Sequence, residues 1–335
     1  MKPTIICLTP IRNEAWILDK FLQTTSLWAD YIILSDQIST DGSQEIARKY
    51  PKVILIENKE QKDFSEYGLR KPLIDEARKI EGPRLLISLD ADEVFTPNFN
   101  SSEWETIKSL PLGTIVKFPW INIYPGFESY WSIGSNIPVG YLDDGAEFKS
   151  GLIHACRLFD PNEYTLNTYV CQQIKILHLQ YLDWYRMETK HLWYQCFERI
   201  NYPNKSAVDI YRQYHHMDNL QKDRFTKVPN EWISGYEKFN INITSVVFET
   251  KLMWEERILT YFQEYGTQYF KKLDIWKTNW VEKAKIWDKD NPEKFIDPRN
   301  IFDKWIQYWL LKTQAKLDKR KYRRIDRLIK LVFHY

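Results

Sequence analysis

Leu85–Phe95, LLISLDADEVF, joins two halves of opposite character. Five of its first six residues suit a buried strand, and three carboxylates, Asp90, Asp92 and Glu93, then follow within four positions. Carboxylates crowded together in a dry core repel one another and partly neutralise. A strand that ends in such a cluster needs compensation, and a divalent cation with its preference for hard oxygen ligands supplies it. Carboxylates at i and i+2 of an extended chain point to the same side, so Asp90 and Asp92 can hold one Mg2+ or Mn2+ shared with a diphosphate. The bare D-x-D pattern is common, and a solvated strand end with helix-capping carboxylates reads the same way.

Three apolar runs precede this stretch: TIICLTP from Thr4, YIILSD from Tyr31 and KVILIE from Lys52. Helical patterns separate them. Ile17, Phe21, Leu22, Thr25 and Trp28 share one helical face, and Asn13 is placed to cap that helix. Asp41 and Gln44 have the spacing of a capping pair, and a polar helix is expected around 63–80. Four strands alternating with helices predict an α/β fold with a mostly parallel sheet and helices on both faces. In such sheets ligands bind beyond the carboxyl ends of the strands. TPIRNE ends the first strand, Asp36 ends the second with Asp41 and Gly42 just after it, and Asp90 ends the fourth. Polar groups gathered on one rim favour a nucleotide site, where Asp36 can accept bonds from a ribose or base.

Further along, TIVKFPWINIY, ACRLFD and QIKILHL read as strands. His178 ends the last of these, either as a neutral metal ligand or as a hydrogen-bonded core histidine. GYLDDGAEF offers Asp143, Asp144 and Glu147 as general bases or as a plain surface loop. After Asp183 the pattern is helical, with Trp184, Tyr185, Trp193 and Tyr194 suited to sugar stacking and better suited to helix packing. Asp297 and Pro298 read as the cap and first turn of the helix over DPRNIFDKWIQYWLLKTQ. The expected organisation is a catalytic domain over 1–240 and an α-helical extension over 241–335.

The net charge of +2 argues against nucleic acid as a partner of the whole chain, and there is no P-loop or G-x-G-x-x-G. Four cysteines without C-x-x-C spacing predict reduced thiols and a cytoplasmic setting. No stretch reads as a signal peptide or reaches transmembrane length. Charge is unevenly spread: residues 312–335 hold nine Lys/Arg against two Asp, leaving residues 1–311 net negative. In that tail Ile325, Leu328, Ile329 and Val332 share one helical side, with Arg320, Arg323, Arg324, Arg327 and Lys330 opposite. Such a helix can lie on an anionic membrane, at the inner face in a cytoplasmic setting, or dock its apolar side onto the Trp305/Trp309 helix.

TPIRNEAWIL, SDQISTDGS and LDADEVF, in this order and at these intervals, resemble the nucleotide-sugar glycosyltransferases of the family-2 type over roughly residues 4–96. The resemblance implies the GT-A fold, a single Rossmann-like α/β domain. It implies that Pro10, Arg12, Asn13, Glu14 and Asp36 contact the base and ribose, with Asp41 beside them. It also implies that Asp90 lies near the ribose and diphosphate, that Asp92 binds Mn2+ or Mg2+, and that Arg70 in EYGLRKPL matches an arginine ahead of the D-x-D strand. Members of the family usually invert the anomeric centre with a later Asp or Glu as base, and their usual Glu-Asp base pair is not visible here. The donor is then a nucleoside-diphosphate sugar, the acceptor a glycan or lipid-linked glycan, and the process polysaccharide biosynthesis. Two rival readings are a phosphohydrolase, since Asp90–Val94 fits D-x-D-x-[TV], and a catalytically silent sugar-nucleotide-binding protein. The phosphohydrolase motif normally ends a first strand, whereas here it ends the fourth.

Overall fold

The computed structural model describes residues 2–59, 65–150, 156–159, 167–215, 217 and 225–335. The chain divides into two compact units, Met1–Asp183 with Phe225–Phe248, and Trp184–Arg224 with Glu249–Tyr335. The sequence reading places one boundary at 240; the division instead falls at 183, 224 and 248.

The first unit is α/β. β1 (Thr4–Ile11), α1 (Ala15–Thr25), β2 (Tyr31–Asp36), α2 (Ser43–Ala47), β3 (Val53–Glu57), α3 (Glu66–Ala77) and β4 (Arg84–Ser88) alternate as expected. Their strands lie in the order β4-β1-β2-β3, and every pairing among them is parallel. On β1, Ile5, Cys7 and Ile11 pack to one side with Trp16, Ile17 and Phe21 of α1, while Ile6 and Leu8 pack to the other with Leu73 and Ile74 of α3. Successive strand residues face opposite sides, so a strand covered on both must be apolar throughout. That requirement writes the unbroken runs seen in the sequence. The cysteines are free, and burial pushes the Cys7 thiol up to about 12, which makes it a packing group and not a nucleophile.

The rest of the unit extends this sheet. β5 (Glu93–Phe95), α4 (Ser102–Ile107), β6 (Ile115–Ile123), β7 (Ser129–Trp131), β8 (Asn136–Asp143), β9 (Thr168–Val170) and β10 (Ile176–His178) follow in the chain. β8 lies antiparallel between β4 and β6. β10 pairs with both β6 and β5, which aligns Asn122, His178 and Glu93 in one row. After α5 (Trp184–Asn201) and α6 (Ala207–Tyr214) of the second unit, the chain returns to the first as β11 (Thr226–Lys227) and α7 (Asn230–Glu237). Trp232 and Tyr236 of α7 complete the core, and the Tyr236 hydroxyl donates to the Phe95 carbonyl.

Several local expectations are corrected. Glu14, not Asn13, occupies the cap position of α1, because Asn13 sits in the left-handed region at φ 53° and its side chain accepts from the Thr40 amide. Gly42 caps α2, so Asp41 and Gln44 are not a capping pair. Arg157 to Phe159 form no strand; Ala155 and Asp160 of the expected ACRLFD strand lie outside the described residues, as do 63 and 64 of the expected polar helix.

The second unit adds α8 (Met253–Tyr265), α9 (Trp280–Ile286), α10 (Ile301–Thr313) and α11 (Arg320–Phe333). Trp193 packs 4.8 Å from Trp254, and Tyr194 stacks on Tyr214 at 5.5 Å, so these rings serve helix packing. α10 starts at a capping box of Asn300 and Asp303, three residues beyond the expected Asp297 cap. Asp326 of α11 pairs with Arg212 of α6 at 3.0 Å, and Phe333 meets Phe302 of α10 at 4.8 Å. α11 is therefore seated by the Asp326–Ile329–Phe333 edge of the helix.

Candidate active site

The carboxyl ends of β1, β2 and β4 fall on one rim, since Ile11 pairs with Asp36 and Leu8 with Ser88. Two loops leave this rim after β1 and β2, and the predicted nucleotide residues lock them together. The Asn13 amide donates to Ser39 Oγ at 2.9 Å, the Glu14 amide to Ser43 Oγ at 2.9 Å, and the Ala15 amide to Asp41 Oδ2 at 2.8 Å. Glu14 Oε2 accepts from the Trp16 indole at 2.7 Å. Asp36 is fully buried and accepts from the Ser39 amide at 3.1 Å and from Gln44 Nε2 at 2.6 Å. Asn13, Asp36 and Asp41 thus shape the rim through bonds to its own backbone. Pro10 is the next-to-last residue of β1 and Arg12 opens the loop after it, both half-buried.

Beside this latch the D-x-D stretch carries a dense charge cluster. Arg70, only 3 % exposed, reaches from α3 to donate to Ser88 Oγ at 2.9 Å and to Asp90 Oδ1 at 2.6 Å. Arg157 donates to Asp90 Oδ2 at 2.8 Å and to Glu93 Oε2 at 2.6 Å. The Asp90 carboxylate is held between two guanidiniums yet keeps 40 % of its side-chain surface open. Burial pushes the Glu93 carboxyl above its ordinary range; Arg157 pulls it down, and the charges of Asp90 and Asp92 add to the rise. Burial opposes the Arg157 charge, but Asp90 and Glu93 outweigh it and hold the guanidinium firmly protonated.

Asp92 faces His178, with Oδ2 and Nε2 3.9 Å apart and both side chains nearly buried. His178 Nδ1 lies 2.9 Å from Asn122 Oδ1. With that oxygen accepting, Nδ1 carries the proton, and the neutral ring would offer Nε2 as a ligand beside the carboxylate. Two electron-pair donors facing each other suit a cation between them. No group of three or more His, Cys, Asp or Glu suited to a metal occurs among the described residues. A cation held by Asp92 and His178 would therefore take its remaining ligands from water and a diphosphate, as Mg2+ commonly does.

The three expected bases are not brought to this rim. β8 runs antiparallel to β4, so Asp143 pairs with Arg84 at the start of β4, the end opposite Asp90. Asp143 is enclosed by Arg84 at 2.9 Å and Arg78 at 2.8 Å. Burial alone would raise its carboxyl, but the bonds from Arg78 and Arg84 overcome this and hold it below the usual range. Asp144 accepts from the Tyr141 hydroxyl at 2.6 Å, and Glu147, exposed in the same loop, lies 3.5 Å from Lys149. Sequence reasoning missed Arg157 and Asn122. Arg157 lies 67 residues from Asp90 with no motif to mark it, whereas Asn122 is found by aligning the end of the β6 run with that of β10.

No family model and no curated protein matches the chain. Solved structures do match. Glucosyl-3-phosphoglycerate synthase from Mycobacterium tuberculosis, solved with Mn2+, UDP and glucosyl-3-phosphoglycerate, is 17% identical over 37% of this chain and 45% of its own, at a TM-score of 0.28. The mannosyltransferase PcManGT from Pyrobaculum calidifontis, solved with GDP-Man and Mn2+, is 11% identical over 100% of this chain and 88% of its own, at 0.40. HddC from Yersinia pseudotuberculosis is 14% identical over 53% and 93%, at 0.31. The chain spans less than half the length of the first of these. Likenesses this distant carry no function by themselves.

Proposed function

We propose that this protein is an inverting glycosyltransferase that moves a sugar from a nucleoside-diphosphate sugar to a glycan or lipid-linked acceptor, with Mn2+ or Mg2+ held by Asp92 and His178. The observation that carries this reading is Asp90, clamped by Arg70 and Arg157 on the carboxyl rim of a parallel sheet beside the Asp92–His178 pair. The clamp fixes a half-open carboxylate where a ribose hydroxyl can donate to it. The two guanidiniums offset part of the cluster's negative charge, so that a bound cation and diphosphate can sit beside it, and the latched loops preform the floor for a base. A cation bound here would draw charge from the departing nucleoside diphosphate. Asn122 holds the His178 ring in place. Asp143, already ion-paired at the opposite sheet end, is unsuited to take the acceptor's proton.

A phosphohydrolase would need Asp90 as nucleophile, but both of its oxygens accept from guanidiniums, which favours a binding role. Thermal-shift measurements with UDP-, GDP-, CMP- and dTDP-sugars plus Mn2+ test the reading, because a ligand bound to the native state raises its stability. One donor should stand out and be hydrolysed slowly without acceptor. A shift without turnover marks a silent binding protein. Phosphate release from simple monoesters without any donor shift overturns the transferase reading.

A further inference from the structure

α11 docks in an unexpected way, and the result is a surface. Of the four apolar residues expected to share one face, only Ile329 is buried; Ile325, Leu328 and Val332 remain exposed, the last two at 57 % and 61 %. Asp326 and Lys330 take the inner positions instead, paired with Arg212 and Asp209 of α6. The neighbouring α10 does the same. Ile306 and Leu310 are buried, while Ile301, Trp305 and Tyr308 lie outside, Trp305 at 58 %. α10 and α11 run antiparallel, because Phe302 meets Phe333 at one end and Trp309 meets Tyr322 at the other.

On α10, residues 301, 305 and 308 lie opposite the buried side; on α11, residues 325, 328 and 332 lie beside the buried Ile329 on its solvent-facing side. Phe302 and Trp309 mark the side of α10 that meets α11, and Phe333 and Tyr322 the side of α11 that meets α10, which leaves both apolar sets on the solvent side of the hairpin. Exposed Arg320, Arg323, Arg324 and Arg327 occupy the rest of the solvent-facing side of α11, Arg324 nearest the apolar residues, and Lys304, Lys312 and Lys321 lie closer in. Residues 301–335 carry ten Lys/Arg against three Asp, and two of those Asp are buried in ion-paired or capping roles.

We propose that the α10–α11 hairpin is a docking platform for an anionic lipid bilayer, with the apolar residues entering the interface and the arginines meeting phosphate-bearing headgroups. Three features select this occupant. An indole and a phenol standing out of an aliphatic patch suit the boundary between headgroup and acyl chain. The flanking charge calls for an anionic partner, and a second copy would bring the same sign against it. α11, at 14 residues, is too short to span a bilayer, where about 20 are needed, but suits a helix lying in its plane. The proposal goes beyond the transferase reading and does not depend on it.

Full-length protein is pelleted with vesicles of phosphatidylcholine, with and without phosphatidylglycerol. It should sediment with the anionic vesicles at low salt, stay in solution with the neutral ones, and be released at about 0.5 M salt. Trp305→Ser with Leu328→Ser, both at exposed positions, should keep the thermal melt and lower vesicle partitioning by at least about tenfold. Arg324→Glu with Arg327→Glu should lower it by at least about tenfold through charge alone. Absence of sedimentation with anionic vesicles at low salt overturns the proposal, as does unchanged partitioning in both double variants. A dimer that Trp305→Ser with Leu328→Ser dissolves, without vesicle binding, assigns the face to a second copy, and heparin binding without vesicle binding assigns it to a soluble polyanion.

Discussion

Two aspartates show how neighbours decide what a carboxylate does. Asp92 looks across 3.9 Å to an imidazole nitrogen, within a cluster already rich in negative charge. Asp92→Asn should abolish Mn2+-dependent donor turnover while leaving the melting temperature unchanged or slightly raised, since it removes one of several like charges. Assay and melt on the same preparation check this, and undiminished turnover removes Asp92 from the site. Asp143 has the opposite setting, enclosed by Arg78 and Arg84 and held below the ordinary carboxylate range. Asp143→Asn should therefore cost roughly 3 kcal/mol at neutral pH, because it leaves two arginines short of their partner. A lowered native pKa stabilises the fold above the unfolded value of about 3.9, and this contribution fades as pH falls through the native value. Urea midpoints of wild type and variant should differ most at about pH 7 and converge in strong acid.

At the scale of elements, burial on both faces made the strands legible. β1, β2 and β4 are covered on two sides, and such strands announce themselves as apolar runs ended by polar residues. Helix starts were less readable. Asn13, Asp41 and Asp297 are all good capping types, and only the backbone angles show that Glu14, Gly42 and Asn300 hold the cap positions. The site was half legible for the same reason: Asp90 and Asp92 lie in the turn just after a strand that the sequence marks, while Arg157 arrives from a distant irregular stretch. The expected base loop failed because β8 reverses direction beside β4, and an apolar run does not encode its direction. Gly235 of α7 offers a test in which local propensity and packing disagree. Alanine in a helix is favoured over glycine by about 1 kcal/mol, yet a Cβ here would lie 2.4 Å from Pro97 Cγ. Gly235→Ala should therefore destabilise, by about 1–3 kcal/mol in denaturant titration. A stabilised variant would show that Pro97 gives way freely.

The whole molecule is two units, and neither is a single stretch of chain. A fragment ending at residue 240 would lack Ile241 and Ile243 from the first core and would part Trp193 from Trp254 in the second. It should express poorly, bind hydrophobic dyes and melt without cooperativity; a sharp melt at wild-type temperature would contradict the division described above.

Tyr236 reaches back 141 residues to the Phe95 carbonyl, and Gly235 closes against Pro97. During synthesis the parallel sheet therefore emerges long before the helix that completes its core, and the intervening helical segment must leave the ribosome first. The α/β unit waits half-covered in that interval, with apolar surface open to wrong partners. Such long sequence separation slows closure, so the α/β unit stays open until α7 returns to cover its core.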